Sequence, residues 1–455
     1  MHTVVLQVMN FDTLEKELSG KVLLDEHILK AYSKDMSIVE GRALALVRPQ
    51  DEQDVLKVVR WANESKIPVV ARGGGSSLEG ESVPFDAIVI DFSSMNKVLE
   101  LDEQNLLALV EPGVVNREFN KFLSQKWLFY PPNPGSWEIS TLGGNAATNA
   151  AGPRSYKYGS TRNWVAALEA VTGKGELSWF GTRAKKSSSG LDLVRLLVGS
   201  EGTLAIFTKL LVRLAPIPEK RVGVIVPLKN VTLATNAVVA LSKRPELGIS
   251  AIEFVDEKCV NALNSVYHSS IPECGAALML EIESTQSELE TKLDSLLHTL
   301  LRFEPVGEPL YEDDVDSMWD LRGRITFALE KIYGKQYRED VAVPVTNFPK
   351  LVEGVKELFS KEGMECVLFG HAGDGNLHLE FKHLESTKLH QILTQLFSLS
   401  VKLGGTISGE HGIGALKARY LNFEHSALAL QIMKQIKSVF DPNRILNPKK
   451  SFDAL

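Results

Sequence analysis

Two short glycine-rich stretches near the C-terminus concentrate the side chains that could do chemistry. The first is His371-Ala-Gly-Asp-Gly-Asn-Leu-His378, and the second is Ser408-Gly-Glu-His411-Gly. Imidazole and carboxylate groups are common metal ligands, and imidazole is also the usual proton acceptor at neutral pH. Each stretch alone is equally consistent with a turn that carries surface histidines. Two such stretches in one chain favour a metal site or an acid–base site.

A strand is predicted to carry the second histidine of the first stretch. Asp374-Gly375 is typical of a tight turn leading into a strand, and apolar and polar side chains alternate over residues 377–381. Because side chains alternate along a strand, His378 and Glu380 are expected on one face. This arrangement differs from the His-Glu-x-x-His motif of helical zinc proteases.

The elements that must position these residues form an α+β pattern. Apolar positions at helical spacing predict a helix over 52–65, and short apolar runs predict strands over 67–71, 87–91 and 164–172. The strands do not alternate regularly with helices, which argues against a repeating βαβ fold.

Length and a pair of prolines divide the chain. At 455 residues it exceeds a usual single domain, and Pro216 and Pro218 follow a predicted strand. We therefore predict a helical lead-in over 1–38, a first domain over 39–218 and a second α+β domain over 219–455.

Composition excludes several classes of protein. The net charge of −7 argues against nucleic-acid binding, and the three cysteines lie too far apart for an iron–sulfur cluster or a disulfide framework. No apolar run approaches the roughly 18 residues of a membrane span. The acidic N-terminal segment resembles neither a signal peptide nor a transit peptide. A cytoplasmic protein is expected, with membrane docking only through a partner.

Five segments rich in small residues lie in the first domain, at 72–77, 131–136, 141–149, 157–159 and 199–203. Small side chains permit a ligand to approach the backbone closely, so successive loops of this kind suit a long ligand such as a dinucleotide. The first segment is not a Rossmann fingerprint, because its Gly-x-Gly-x-x-Gly pattern is broken and no clear helix follows.

These segments, in this order, resemble the FAD-binding domain of the vanillyl-alcohol-oxidase (PCMH) type. The two histidine stretches and the motif at 440–448 resemble the FAD-linked oxidase C-terminal domain. Together they are similar to the family that contains D-lactate dehydrogenase, the flavin subunit of glycolate oxidase and D-2-hydroxyglutarate dehydrogenase. The resemblance implies a two-domain α+β fold with a C-terminal tail that returns to the FAD domain.

The resemblance implies noncovalent FAD, because no histidine lies near the first loop, where some relatives tether the cofactor. The loops at 73–77 and 143–145 are expected to hold the pyrophosphate. The implied cofactor-binding residues are Arg72, Gly73, Gly74, Gly75, Ser76, Ser77, Pro134, Gly135, Ser136, Thr141, Gly143, Gly144, Asn145, Gly159, Gly202, Thr203, Ile206 and Asn447.

In the second domain the resemblance implies a divalent metal, zinc or manganese, bound by His371, His378 and Glu410. It also implies that His411 is the catalytic base. A bound metal acts as a Lewis acid on the substrate hydroxyl, and a neighbouring imidazole can accept the proton.

Three further residues match the family's substrate-binding positions. Arg322 corresponds to the arginine that clamps the substrate carboxylate, with Thr326 and Arg338 as further substrate-binding residues. A guanidinium binds a carboxylate through two parallel hydrogen bonds, which would orient C2 toward the flavin. The alternative for Arg322 is a salt bridge to Asp320 or Glu330.

One position departs from the family. Relatives usually carry Asn two residues after the second metal histidine, whereas this chain has Glu380. The added carboxylate could tighten metal binding, disfavour a second substrate carboxylate, or face solvent. The substrate is therefore less well defined than the reaction class.

The expected function is oxidation of a small D-2-hydroxy acid, D-lactate or glycolate, to the 2-oxo acid by hydride transfer to flavin N5. Electrons would pass to a non-nicotinamide acceptor such as a quinone, an electron-transfer flavoprotein or an iron–sulfur subunit. The alternatives are D-2-hydroxyglutarate oxidation, the non-oxidising ether-lipid synthase branch of the same fold, and a non-catalytic flavin-binding subunit. A homodimer and a hetero-complex both stay open.

Overall fold

The computed structural model describes residues 11–454. Residues 1–10 of the predicted helical lead-in lie outside the described residues. The described part of the lead-in contains two short helices, Phe11–Glu17 and Glu26–Tyr32, separated by the strand Lys21–Leu23. The lead-in is therefore only partly helical.

Strands and helices follow one another in a mixed order. The strands are β1 (Lys21–Leu23), β2 (Arg42–Arg48), β3 (Val69–Arg72), β4 (Phe85–Asp91), β5 (Val98–Asp102), β6 (Leu107–Val110), β7 (Leu128–Phe129), β8 (Val165–Thr172), β9 (Leu177–Gly181), β10 (Ala205–Arg213), β11 (Ala215–Pro216), β12 (Lys220–Leu228), β13 (Ile249–Asp256), β14 (Ala276–Ser284), β15 (Leu310–Glu312), β16 (Gln336–Ala342), β17 (Cys366–Gly370) and β18 (Asn376–Lys382). The helices are α1 (Phe11–Glu17), α2 (Glu26–Tyr32), α3 (Glu52–Ser65), α4 (Asn116–Ser124), α5 (Leu142–Thr148), α6 (Ser155–Tyr158), α7 (Thr161–Trp164), α8 (Leu193–Leu197), α9 (Val231–Leu241), α10 (Glu257–Tyr267), α11 (Leu289–Leu300), α12 (Val315–Gly323), α13 (Ile325–Tyr333), α14 (Phe348–Lys361), α15 (Ser386–Lys402), α16 (Leu421–Glu424) and α17 (Ala427–Phe440). Among the residues from 11 to 454, none of these helices combines the length and apolar character needed to span a bilayer.

The chain forms two compact units. The first unit comprises the residues up to Ala151, then Ser160–Pro216, then the residues from Glu410 onward. The second unit comprises Gly152–Gly159 and Ile217–Gly409. Each unit is therefore assembled from separated stretches of sequence.

The first unit contains a four-stranded sheet in the order β1–β2–β4–β3 and a five-stranded sheet in the order β5–β6–β10–β8–β9. Strand β4 pairs in parallel with β2 and β3, whereas the five-stranded sheet is antiparallel. The strands predicted over 67–71, 87–91 and 164–172 are confirmed to within two residues at each end.

Helix α3 has the bounds that the apolar spacing predicts, Glu52–Ser65. The carboxylate of Asp51 accepts hydrogen bonds from the backbone N–H groups of Gln53 at 2.9 Å and Asp54 at 3.0 Å, which caps the first turn. Lys66 adopts a left-handed conformation with a φ of 53° and ends the helix.

The segment 141–149 is not a loop, contrary to the sequence prediction. Residues Leu142–Thr148 form helix α5, which contains Gly143 and Gly144. Thr141 Oγ1 accepts a hydrogen bond from the Gly144 N–H at 3.2 Å and caps this helix. The cap and the tertiary packing outweigh the low helix propensity of the two glycines.

The C-terminal tail completes the core of the first unit. The Val69 N–H donates to the Ile445 carbonyl at 2.8 Å, and the Asn447 N–H donates to the Val69 carbonyl at 2.9 Å. Ile445 and Leu446 are buried in the same hydrophobic cluster as Val69 and the stripe of helix α3. The tail thus extends the four-stranded sheet at β3.

The second unit is built on one seven-stranded antiparallel sheet in the order β15–β12–β14–β13–β17–β18–β16. Strand β18 confirms the strand predicted over 377–381. Its residues from Asn376 to Phe381 are all buried. Neither face of this strand is therefore exposed to solvent. The three strands β13, β17 and β18 are adjacent; His371 directly follows β17, and His378 lies on β18.

Candidate active site

A buried glutamate outside the sequence motifs connects two of the predicted site residues. Glu253 lies on β13 and is 0% exposed. Its Oε1 lies 2.6 Å from His371 Nδ1, and its Oε2 accepts a hydrogen bond from Arg322 Nε at 2.7 Å. Burial disfavours the charged carboxylate, but His371 and Arg322 outweigh that effect and lower the pKa of Glu253. One carboxylate therefore contacts both a predicted metal ligand and the predicted substrate clamp.

Arg322 lies near the end of helix α12 and is turned inward. It pairs with Glu253 rather than with Asp320 or Glu330, the partners that sequence proximity suggests. Its guanidinium carbon also lies 4.9 Å from the centre of the Phe369 ring. A cation over an aromatic face is attracted to it, so the ring helps to fix the plane of the guanidinium.

The two histidines of the first stretch face each other across the turn at Ala372–Asp374. His371 and His378 are 5% and 7% exposed, so the alternative of surface histidines is wrong. Their ring centroids are 5.0 Å apart and the ring planes are perpendicular, at 90°. His371 directs Nδ1 at Glu253, and Nε2 is then the nitrogen that can serve as a ligand atom. Two neighbouring imidazoles with this support are a donor set that fits a divalent transition metal.

Asp340 fixes the start of the second stretch. It lies on β16, opposite His378 in the pairing with β18. Its Oδ2 accepts a hydrogen bond from the Gly409 N–H at 2.7 Å, and its Oδ1 accepts one from the Ser408 hydroxyl at 3.3 Å. This buried carboxylate therefore holds the Ser408-Gly409 turn against the strand that pairs with β18.

Glu380 is buried, so the alternative in which it faces solvent is wrong. It is 1% exposed, and its Oε1 accepts a hydrogen bond from Thr326 Oγ1 at 2.6 Å. Arg338 Nε lies 3.3 Å from the same oxygen, and Arg338 Nη2 donates to Glu330 at 2.5 Å. Burial raises the pKa of Glu380, with Thr326 and Arg338 opposing the shift. The three predicted substrate-binding residues thus each contact a carboxylate of the chain itself.

A second buried glutamate of the same sheet serves a different purpose. Glu281 on β14 accepts a hydrogen bond from Arg221 Nε at 2.9 Å and one from the Trp319 ring N–H, and Arg154 Nε lies 3.5 Å from it. Burial opposes ionisation, but Arg154 and Arg221 outweigh it and lower the pKa of Glu281 to about 2. This cluster ties the Gly152–Gly159 segment to the sheet.

Three polar side chains in or directly beside the glycine-rich segments of the first unit are buried without a hydrogen-bond partner among residues 11–454. They are Ser140 Oγ, Asn145 Nδ2 and Ser200 Oγ. Leaving a buried donor unsatisfied costs about 1–3 kcal/mol, so a ligand that accepts hydrogen bonds at these positions would remove the cost. Phosphate oxygens and the carbonyl oxygens of a flavin are such acceptors. These segments therefore fit FAD.

The glycines of these segments do not all serve the same purpose. A Cβ on Gly73 would lie 2.2 Å from Thr141 Oγ1, and one on Gly74 would lie 2.2 Å from the Ile139 carbonyl oxygen. Both glycines therefore permit close packing within the unit. A Cβ on Gly135 would meet no atom of the described chain within 4 Å, so Gly135 faces open space.

Four of the predicted cofactor residues are engaged elsewhere. The Thr203 hydroxyl donates to a backbone carbonyl at 2.6 Å, Ile206 lies in the hydrophobic core, and Arg72 donates to a lead-in carbonyl at 2.6 Å. Gly159 belongs to the Gly152–Gly159 segment of the second unit. Contacts of these residues with FAD stay predictions, as do those of Gly75, Ser76, Ser77, Pro134, Ser136, Gly143, Gly144 and Gly202.

Asn447 is held at the centre of a buried polar cluster. Its Nδ2 donates to the backbone carbonyls of Glu81 at 2.9 Å and Glu201 at 2.6 Å. Lys450 donates to Asn447 Oδ1 and to the Val83 carbonyl. Burial lowers the pKa of Lys450 to about 7, although Glu81 opposes the shift. The tail is thus hydrogen-bonded, at Glu201, to one of the segments that are predicted to hold FAD.

Glu410 and His411, the remaining predicted site residues, open the last stretch of the first unit. His411 is largely buried, and its Nδ1 lies 3.9 Å from Glu79 Oε1. The role of Glu410 as a metal ligand and the role of His411 as the catalytic base stay predictions.

The sequence motifs do not reveal Glu253 or Asp340. Glu253 stands in Ser-Ala-Ile-Glu-Phe-Val, where a charged residue interrupts an apolar strand. A charge in such a run must find a partner when it is buried, and that signal could have identified it. Nothing local in the sequence identifies its partners, which are 69 and 118 residues away.

Two family models match the chain. Residues 43–181 match the FAD binding domain, and residues 217–451 match the C-terminal domain of FAD linked oxidases. The chain is 36% identical over 412 residues to the D-lactate dehydrogenase of Archaeoglobus fulgidus, covering 89% of this chain and 90% of that protein. It is 32% identical over 452 residues to the D-2-hydroxyglutarate dehydrogenase of Stutzerimonas stutzeri, covering 96% of this chain and 97% of that protein.

The fold has close counterparts among solved structures. A crystal structure of p-cresol methylhydroxylase with substrate bound superposes with a TM-score of 0.79 at 17% identity, covering 99% of this chain and 96% of that one. This likeness confirms the two-domain PCMH-type architecture.

Proposed function

The chain belongs to the family of FAD-linked 2-hydroxyacid dehydrogenases, and we propose that its substrate is a small D-2-hydroxy acid with one carboxylate, D-lactate or glycolate. The product is the 2-oxo acid, and the electrons pass to a non-nicotinamide acceptor. One observation carries the proposal: Glu253 contacts both Arg322 and His371. A carboxylate-binding group therefore lies beside an expected metal ligand, as a hydroxy acid requires.

Arg322 binds the substrate carboxylate in this proposal. Its Nε is already used by Glu253, so the two terminal nitrogens are left to form parallel hydrogen bonds with a planar carboxylate. This two-point contact fixes the direction of the C1–C2 bond and so orients the C2 hydrogen.

His411 accepts the hydroxyl proton of the substrate, and His371, His378 and Glu410 hold the metal. Bound FAD supplies the hydride acceptor, and the bound divalent ion supplies Lewis acidity that favours loss of the hydroxyl proton. The Glu79 carboxylate, 3.9 Å from His411 Nδ1, stabilises the imidazolium that proton transfer creates.

The charges around Arg338 favour a monocarboxylate over a dicarboxylate such as D-2-hydroxyglutarate. Arg338 is the second cation among the predicted substrate-binding residues, and Glu330 and Glu380 both lie within ion-pair distance of it. Its charge is thus already balanced by the chain. A second substrate carboxylate would have to displace one of these partners in a buried setting.

Anaerobic flavin spectroscopy tests the proposal. D-lactate and glycolate should each bleach the flavin band near stoichiometrically, whereas D-2-hydroxyglutarate should bleach it slowly and L-lactate serves as the stereochemical control. Preferential bleaching by D-2-hydroxyglutarate would replace the substrate assignment with that alternative. A bound flavin that none of these acids bleaches would instead favour a non-oxidising role.

Metal removal tests the ligand assignment separately. Incubation with a chelator should abolish turnover while the flavin absorbance is retained, and zinc or manganese should restore it. Activity that is indifferent to chelator would contradict the assignment of His371, His378 and Glu410.

A further inference from the structure

Glu253 links the predicted metal ligand to the predicted substrate clamp. It lies in the interior of β13, is 0% exposed, and has a site partner on each oxygen. The Oε1–His371 Nδ1 distance is 2.6 Å, and the Oε2–Arg322 Nε distance is 2.7 Å. The two oxygens of a carboxylate are rigidly spaced, so this side chain sets the imidazole and the guanidinium at a fixed separation.

The contact with His371 determines which ring nitrogen carries the proton. An ionised carboxylate only accepts hydrogen bonds, so Nδ1 must be the protonated nitrogen. Nε2 then carries the lone pair that a metal requires, and the ring cannot rotate without breaking the contact. A histidine in the opposite tautomer would present an N–H to the metal instead.

The contact with Arg322 determines which face of the guanidinium meets the substrate. With Nε bonded to Glu253 and the guanidinium over the Phe369 ring at 4.9 Å, the guanidinium is held in place and its two terminal nitrogens are left for a substrate carboxylate. A guanidinium held in this way has lost its rotational freedom before a ligand arrives. Less entropy is then lost when a carboxylate binds.

We propose that Glu253 is a positioning residue that fixes the His371 tautomer for metal binding and the Arg322 fork for substrate binding at the same time. This inference rests on the proposed function, in which His371 is a metal ligand and Arg322 binds the substrate. In this role Glu253 acts through these two side chains, each of which is bonded to one of its oxygens.

The substitution Glu253→Gln separates the two contacts, because an amide has one acceptor and one donor. Arg322 cannot lose its proton, so the amide oxygen must face Arg322 Nε. The amide NH₂ then faces His371 Nδ1, which adapts by moving its proton to Nε2. The variant should therefore lose metal affinity while retaining the orientation of Arg322.

Metal affinity measured by competition with a chromophoric chelator tests this on the FAD-loaded, metal-stripped protein. For zinc, E253Q should bind about 10- to 100-fold more weakly than wild type, the range typical for loss of an outer-shell partner. At saturating zinc, the KM for the hydroxy acid should change by less than about threefold, because the contact between Arg322 and the substrate carboxylate is undisturbed. E253D, which keeps two acceptors, should recover part of the affinity.

Glu281→Gln is the matched control. It removes a carboxylate that is equally buried, on the neighbouring strand β14, and whose partners are Arg221, Arg154 and Trp319 rather than a histidine. E281Q should lower stability but leave zinc affinity at the wild-type value. A purely structural role for Glu253 would make the two variants behave alike.

The outcomes are distinguishable. Wild-type zinc affinity in E253Q would overturn the inference while leaving the proposed function intact. A wild-type protein that binds neither zinc nor manganese would overturn the metal assignment and the inference with it. If E253Q fails to fold, ¹⁵N NMR of histidine-labelled, metal-free wild type gives the answer, with the His371 signal assigned through a His371→Gln variant. An Nδ1–H tautomer supports the inference, and an Nε2–H tautomer refutes it.

Discussion

The glycine-rich segments of the first unit and the histidine–arginine site of the second unit treat buried polar groups in opposite ways. In or directly beside the first, Ser140, Asn145 and Ser200 each bury a polar atom that lacks a hydrogen-bond partner within the described residues. In the second, His371 and Arg322 are each bonded to Glu253. The three side chains of the first region have hydrogen-bonding capacity left for a ligand, whereas His371 and Arg322 are positioned by the chain itself. Binding and catalysis are thus prepared differently.

The largest expected effect is the loss of the catalytic base. If cofactor binding belongs to the glycine-rich segments, His411→Ala should lower kcat by about 10²–10⁴-fold, the usual contribution of a general base, with FAD content unchanged. Steady-state kinetics and the flavin spectrum measure the two quantities on one sample. His425→Ala is the control, because His425 lies in the same unit next to an ordinary ion-pair partner, Glu424. Retained turnover in H411A would sink the base assignment.

The substitution Arg322→Lys sharpens the claim that the second site is preorganised. Lysine keeps the charge, but it has no planar group that can bond Glu253 and a substrate carboxylate at the same time. Because a hydrogen bond to a charged group contributes about 1.5–3 kcal/mol, kcat/KM should fall about 100-fold. Arg324→Lys is the matched control two residues on, where the guanidinium lies 5.2 Å from the Tyr267 ring. Equal effects of the two variants would contradict a special role for Arg322.

The substitution Asn145→Ala tests whether the first region depends on its ligand. Removing an unsatisfied buried amide should leave the unfolding free energy of the apoprotein unchanged or higher. FAD affinity should fall about fivefold, because a hydrogen bond worth about 1 kcal/mol is lost. Thermal unfolding with and without FAD measures both. Asn96→Ala, on the surface of the same unit, should change neither. A destabilised apoprotein with normal FAD affinity would mean that Asn145 is structural.

The smallest effect concerns the ion cluster around Glu281. Its pKa is about 2 when folded against an ordinary value of 4.5, so its contribution to stability is complete above pH 4.5 and is lost as the pH falls toward 2. Between pH 6 and pH 4 the wild type should lose about 0.8 kcal/mol more than Glu281→Gln. Urea unfolding at the two pH values measures the difference. Parallel pH dependences of the unfolding free energy in the two proteins would show that folding does not lower the pKa of Glu281.

Local features of the fold were predictable from the sequence and long-range partners were not. Helix α3 has the predicted bounds because an apolar stripe and an Asp51 cap coincide, whereas helix α5 was predicted as a loop because glycines dominate it. The histidine stretches identify His371 and His378 through residue type and spacing. The role of Arg322 as an inward-facing group depends on Glu253, and no local pattern encodes a contact across 69 residues.

The interlaced chain of the first unit has a consequence for biosynthesis. Ile445 and Leu446 are part of the core around Val69, yet the ribosome makes all of Ile217–Gly409 before it reaches Glu410. An N-terminal domain usually folds while later domains are still being made. This unit cannot complete its fold in that way, because part of its core is synthesised last. The core around Val69 can be completed only after the last stretch has been made. Nascent chains of this protein should depend on chaperones during that interval.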